Sequence, residues 1–185
     1  MKLRRNALLV VLALGLPACS GGSDGDPTAP QIANVAGSWE YVASELTGEI
    51  GTLSLRCALV GEMDLDQLGA TFSGTLDGVA FTCEVPGTPI RETVLLNKSL
   101  LIIDGQLIGT DVGFQYDAPF LHPEFLKLIE DTLGAPVFFA VGAFHHIGTI
   151  SGSGMSGTVF VTLDIMRTGA RSLTTILEGT YLAVR

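Results

Sequence analysis

The chain has 185 residues, 10 basic and 19 acidic side chains, a formal charge of −9 at pH 7 and 47% hydrophobic residues. That acidic balance argues against nucleic acid and against electrostatic binding to anionic headgroups, both of which need clustered Lys and Arg. Beyond the N-terminal region about 150 residues remain, enough for one domain with its own core.

The chain opens with Lys2, Arg4 and Arg5, an apolar run from Ala7 to Leu16, and then Leu16-Pro17-Ala18-Cys19. Basic residues hold such a segment on the cytoplasmic side while a short apolar core enters the membrane. The run is too short for a stable span, which needs roughly 20 residues. The stretch resembles a bacterial lipoprotein signal peptide ending in a lipobox. The resemblance implies removal of residues 1–18 and acylation of Cys19, which anchors the chain to the cell envelope. With two or more acyl chains the anchor is effectively stable. Ser20 rather than Asp follows the Cys, which by the same resemblance favours the outer membrane, facing the periplasm. The plain alternative is a secretory signal cut after Ala18 that leaves Cys19 free. Ser20 to Gln31 is built of Gly, Ser, Asp, Pro and Thr with little apolar content, so residues 19–31 read as a flexible tether. Without the leader, 7 basic residues face 19 acidic ones, a formal charge of −12. Membrane contact would come through the lipid.

Residues 32–185 read as a single β domain. Runs rich in β-branched residues, Leu and Phe, bounded by Gly, Pro, Asp or Asn, predict strands over 39–46, 52–60, 71–76, 79–85, 92–96, 99–104, 106–116, 137–145, 157–166 and 173–184. In Thr71 to Leu76, Phe72 and Ser73 point to opposite faces. Leu53, Leu55 and Cys57 share one face, which places Cys57 inward. Apart from Cys19 the cysteines are Cys57 and Cys83. In an exported chain such a pair predicts a disulfide. A buried thiol pair or half a metal site are the alternatives, and neither Cys has a CxxC partner or a nearby His.

Gly-Thr recurs at Gly51, Gly74, Gly87, Gly109, Gly148, Gly157 and Gly179. The irregular spacing is no solenoid. It fits turns, together with kinks at which a closed sheet bends sharply. One helix interrupts the strands. Pro123 suits a first helical position, Leu121, Phe125, Leu128 and Thr132 form a stripe, and Gly134 and Pro136 end it. The helix is expected near 123–133, on a sheet edge or across a barrel end. The predicted fold is all-β: an antiparallel barrel or strongly coiled sandwich of about 8–10 strands with one short helix.

Gly37-Ser38-Trp39 opens the first strand, and the chain ends in a strand closing on Arg185. A Gly-x-Trp there, with a basic residue near the end, is similar to the calycins, the lipocalin and avidin-like barrels. The resemblance implies an antiparallel meander with a small apolar ligand cavity. It makes Trp39 and Arg185 candidates for the ligand floor, with a plain core aromatic as the other reading of Trp39.

No catalytic set emerges, and none of the patterns calls for a metal or cofactor. His145 and His146 are neighbours on a strand, so one faces inward and one outward. They are expected at a strand end. His122 and Glu124 belong to the helix start. Glu62, Asp64 and Asp66 alternate along one side and miss the EF-hand spacing. Ser151 to Gly157 reads as a flexible hairpin, since a hydrolase elbow needs a following helix. Two roles remain: a lipid-anchored barrel holding a small apolar ligand, or a filled β domain that contacts another envelope protein.

Overall fold

A computed structural model describes residues 32–89, 91–95, 98–116, 130, 137–167 and 173–185. Among them nine strands form one antiparallel sheet. They are β1 (Gly37–Ile50), β2 (Leu53–Leu68), β3 (Thr71–Glu84), β4 (Arg91–Leu95), β5 (Leu100–Ile108), β6 (Asp111–Tyr116), β7 (Val137–Ser151), β8 (Gly154–Arg167) and β9 (Leu173–Val184). The order is β2-β1-β9-β8-β7-β6-β5-β3-β4, and β2 also pairs with β3. Eight strands therefore close into a barrel. β4 is a short addition: β3 pairs with β5 over Thr71–Leu76 and with β4 over Ala80–Glu84. Of the helix expected at 123–133, only Glu130 falls within the described residues.

Alternation builds the core. Trp39, Tyr41 and Ala43 of β1 point inward, as do Leu53, Leu55, Cys57 and Leu59 of β2. Bulges then shift the phase. After the irregularity between Ala43 and Leu46, where Glu45 has φ of 54°, the inward set of β1 becomes Leu46 and Ile50. An extra residue in one strand moves every later side chain to the other face, and it sharpens the local bend. Asp104, with φ of 54°, does the same in β5, between Ile102 and Leu107.

Two expected strand limits change for related reasons. The runs 71–76 and 79–85 are one strand, because Asp77-Gly78 bulges without reversing the chain. The run 106–116 is two strands, because Gly109-Thr110 is a hairpin turn. The Gly-Thr pairs thus divide into two kinds. Gly51, Gly87 and Gly109 have positive φ outside the strands, whereas Gly74, Gly148, Gly157 and Gly179 lie within them. Gly157 shows what the second kind does. It is paired with Gly148, and a Cβ on it would stand 2.1 Å from the carbonyl oxygen of Ile147. Only a residue without a side chain lets β7 and β8 bend together there.

The disulfide forms as expected. Cys57 and Cys83 face each other directly in the β2–β3 ladder, with their sulfurs bonded and both side chains buried.

The two barrel ends differ. One carries the short turns at 69–70, 109–110 and 152–153, together with residues 32–36. At the other, Gly51-Thr52 joins β1 to β2, and the connections 85–90, 117–136 and 168–172 begin and end. β7 runs past β6 here. Its register with β6 covers Phe144–Thr149, while its register with β8 begins at Val137.

Gly157→Ala should cost about 2–3 kcal/mol in urea denaturation, because backbone must move to admit the methyl group. Gly113→Ala, whose Cβ would meet its nearest atom at an ordinary 3.7 Å, should stay within about 0.5 kcal/mol. Reducing the disulfide should lower stability by about 3 kcal/mol, measured by the same denaturation with and without reductant.

Candidate functional site

The short-turn end of the barrel is sealed by the chain itself. Val35 is fully buried, and its N–H donates to Gln67 Oε1 at 2.6 Å. Gln67 Nε2 donates in turn to the Ala33 carbonyl at 3.0 Å, so one amide clamps the segment entering β1. Trp39 is buried beside it, with Nε1 donating to the Val35 carbonyl at 2.8 Å. The Arg185 guanidinium lies 4.2 Å from the Trp39 ring centroid and also donates to the Asn34 carbonyl. A cation over an indole face is a favourable contact. The two residues singled out at opposite ends of the sequence thus meet in one floor.

Above that floor, all three tyrosines of the chain converge on His146. Tyr41 comes from β1, Tyr116 from β6 and Tyr181 from β9, and each is an inward position of its strand. Tyr41 Oη and His146 Nε2 are 2.7 Å apart. Phe114, the register partner of His146, stacks on the imidazole at 4.2 Å between centroids and 8° between planes. Tyr116 meets the imidazole edge-on at 4.7 Å and Tyr181 at 5.1 Å. Tyr116 Oη donates to Met63 Sδ at 3.3 Å. Edge-to-face and offset rings satisfy the aromatic quadrupoles, so the cluster fills this level of the barrel and fixes its own geometry.

The polar atoms here are costly to bury. His146 is 1% exposed and Tyr181 3%. Tyr181 Oη meets no partner at hydrogen-bond geometry, and the His146 ring beyond Tyr41 has only the backbone of Phe144 and Phe114. Burial pushes the His146 imidazole down to about 3, opposed by hydrogen bonding to the backbone of Phe144 and Phe114. Burial raises all three tyrosines, with Tyr116 favouring and Tyr181 opposing the charged form of Tyr41. The cluster is therefore neutral at ordinary pH. Among the residues whose side chains are described, His146 is the one buried side chain of the polar or charged class.

Among the described residues the outer wall carries open depressions. A groove of about 620 Å³ lies where β9 bends at Gly179, lined by Glu45, Thr47, Phe160, Ile176 and Glu178. A smaller one of about 370 Å³ runs beside the floor at Ser38, Glu40, Glu62 and Arg185. Outward-facing Val60, Val42 and Leu182 are register partners across β2, β1 and β9, and each is about half exposed.

The other sequence candidates are dispersed. His145 and His146 lie within β7 rather than at its end, His145 exposed and His146 buried. Glu62, Asp64 and Asp66 form an exposed row on β2. Ser151 to Gly157 is a strand, a two-residue turn and a strand. Among the described residues no three His, Cys, Asp or Glu gather as a metal would require. Cys19, His122 and Glu124 lie outside the described residues. The tyrosine cluster was missed. Its one local signal is Tyr41 two residues after Trp39, on the same face.

The chain matches no family model and no curated protein. The eight-stranded closed antiparallel barrel is consistent with a calycin-like arrangement, as the Gly-x-Trp resemblance implied.

The pH dependence follows from His146. Its folded value of about 3 lies below the 6.5 of a free imidazole. Between these values the unfolded chain binds the extra proton, so folding weakens as pH falls from about 6.5 to about 3. The accumulated loss is on the order of 4 kcal/mol. Carboxylates add their own acid slope. The difference between wild type and His146→Phe in denaturation from pH 7 to 3.5 isolates the imidazole, and the variant should show the shallower decline.

Proposed function

We propose that the protein is exported, anchored to the envelope through lipid on Cys19, and binds a small, largely apolar ligand in its barrel. The anchor is supported by the basic leader, the short apolar run and the lone Cys at their junction. The binding role is supported by one observation: eight strands close into a barrel that the chain itself seals at the near end. Apolar residues such as Leu46, Leu59, Val161, Leu163 and Leu177 line the wall beyond the cluster, towards the end with the long connections. Loops on a rigid barrel rim are the usual place for recognition.

The other role, contact with an envelope protein, is favoured by the outward row Val60, Val42 and Leu182. Scattered exposed apolar residues are normal, and three side chains make a small patch. The binding role therefore ranks first.

Native mass spectrometry of the protein purified in detergent from its own host checks both parts. The expected spectrum shows residues 1–18 removed, a diacylglyceryl mass on Cys19 and a small molecule released on denaturation. An unprocessed chain recovered from the cytosol would refute export. A processed chain with nothing bound would refute ligand binding.

A further inference from the structure

The outward row Val60, Val42 and Leu182 lies between the two outer grooves. Towards the plugged end, Glu40 and Glu62 line the smaller groove beside Val184. Towards the other end, Glu45 and Glu178 line the larger one, together with Phe160 and Ile176. Glu40 pairs with Val184, which is six residues from Glu178 along β9. At the rise of a strand, the two pairs of carboxylates are therefore about 20 Å apart, with the apolar row between them.

The charge of this face is one-sided. β1 and β2 carry three carboxylates each and β9 one, against a single basic side chain, Arg56. Arg56 is held by Glu84 at 3.6 Å. Arg185, on the rim of the smaller groove, is held by the Trp39 ring and the Asn34 carbonyl. Glu40 and Glu62 stand directly opposite each other in the β1–β2 ladder. Like charges so placed repel, and a cation brought to them turns that cost into attraction. An apolar row alone does not say what covers it. Carboxylates on both flanks do: the cover brings apolar side chains to the middle and positive charge to each end.

We infer that this face docks a basic amphipathic segment of another protein, lying along β1 and β9. Its apolar side chains cover Val60, Val42 and Leu182. Its Lys or Arg side chains meet Glu40 and Glu62 at one end and Glu45 and Glu178 at the other. A helix of about 13 residues spans that distance. A second copy of this chain is disfavoured, because matching faces would set carboxylate against carboxylate. Four strands over this length also offer only about 400 Å², against about 800 Å² per partner in a stable dimer. The inference develops the second role named above and does not depend on what the barrel holds.

The test uses the processed, lipidated protein in a non-ionic detergent at pH 7, with binding to empty micelles subtracted. The probe is a fluorescent peptide of about 13 residues with a Leu stripe between Lys pairs. Two control peptides replace Lys by Glu or Leu by Ser. Anisotropy should show the Leu/Lys peptide binding about tenfold tighter than either control, and losing affinity as salt is raised. Val42→Ser with Leu182→Ser should weaken it about tenfold, and so should Glu40→Gln with Glu178→Gln. Ile108→Ser, an exposed position on β5, should leave it unchanged. Carbodiimide coupling of peptide lysines should map by mass spectrometry to Glu40, Glu45, Glu62 and Glu178. No binding of the Leu/Lys peptide overturns the inference, as does equal binding of the Leu/Ser control, equal affinity in both double variants, or coupling confined to carboxylates elsewhere. Self-association of the protein through this face, abolished in sedimentation by the Val42→Ser and Leu182→Ser pair, overturns it in favour of a second copy. None of these outcomes bears on the barrel interior, which the native spectrum decides.

Discussion

A sheet of these strands left open would expose the outer edges of β2 and β3 to any other strand. Pairing β2 with β3 removes both edges at once, but it demands that the sheet coil through a full turn. That coiling brings backbone within side-chain distance of backbone. Gly74 against Asp64, Gly148 against Ser156 and Gly157 against Ile147 each leave under 2.5 Å for a Cβ. Close approach at these points is the constraint on which everything inside the barrel depends. It sets which faces turn inward, and so which residues meet across the centre.

Two consequences of that constraint account for the interior. Bulges at Glu45 and Asp104 bend the strands and reverse their phase. A strand can therefore point Trp39 and Tyr41 inward near one end and Leu46 and Ile50 inward near the other. The space left by inward glycines is taken by large rings. Tyr181 occupies the place of a side chain on Gly148, and Phe72 lies against Gly105. Small and large residues facing each other fill a tapered barrel without strain. The result is a core that excludes water yet keeps one imidazole and three phenols.

Much of the fold was legible because it depends on local pattern. Alternation in Leu53, Leu55 and Cys57 set the face of β2, and Phe72 against Ser73 set that of β3. The recurrent Gly-Thr pairs signalled a sheet that bends. The same signal was ambiguous where it mattered for strand limits. A Gly-Thr pair makes a turn at Gly109 and a mid-strand kink at Gly74, and the difference is set by positive φ against close backbone approach, neither of which a dipeptide reveals. Asp77-Gly78 likewise resembles a turn but only offsets the β2–β3 register. The candidate site was legible in half. Trp39 and Arg185 were found from their places near the strand termini. Tyr41 and His146 are separated by 105 residues, and only closure of the barrel brings them together. That one of His145 and His146 must face inward followed from pleating. What it meets there did not.

The hydrogen bond and ring contact that join Arg185 to Asn34 and Trp39 also fix where the chain enters and leaves the barrel. Entry and exit share the plugged side. If Cys19 carries the proposed lipid, the anchor reaches the barrel on the same side as the Trp39–Arg185 contact, and the rim from which β2, β6 and β8 turn or leave is the one held farther from the bilayer.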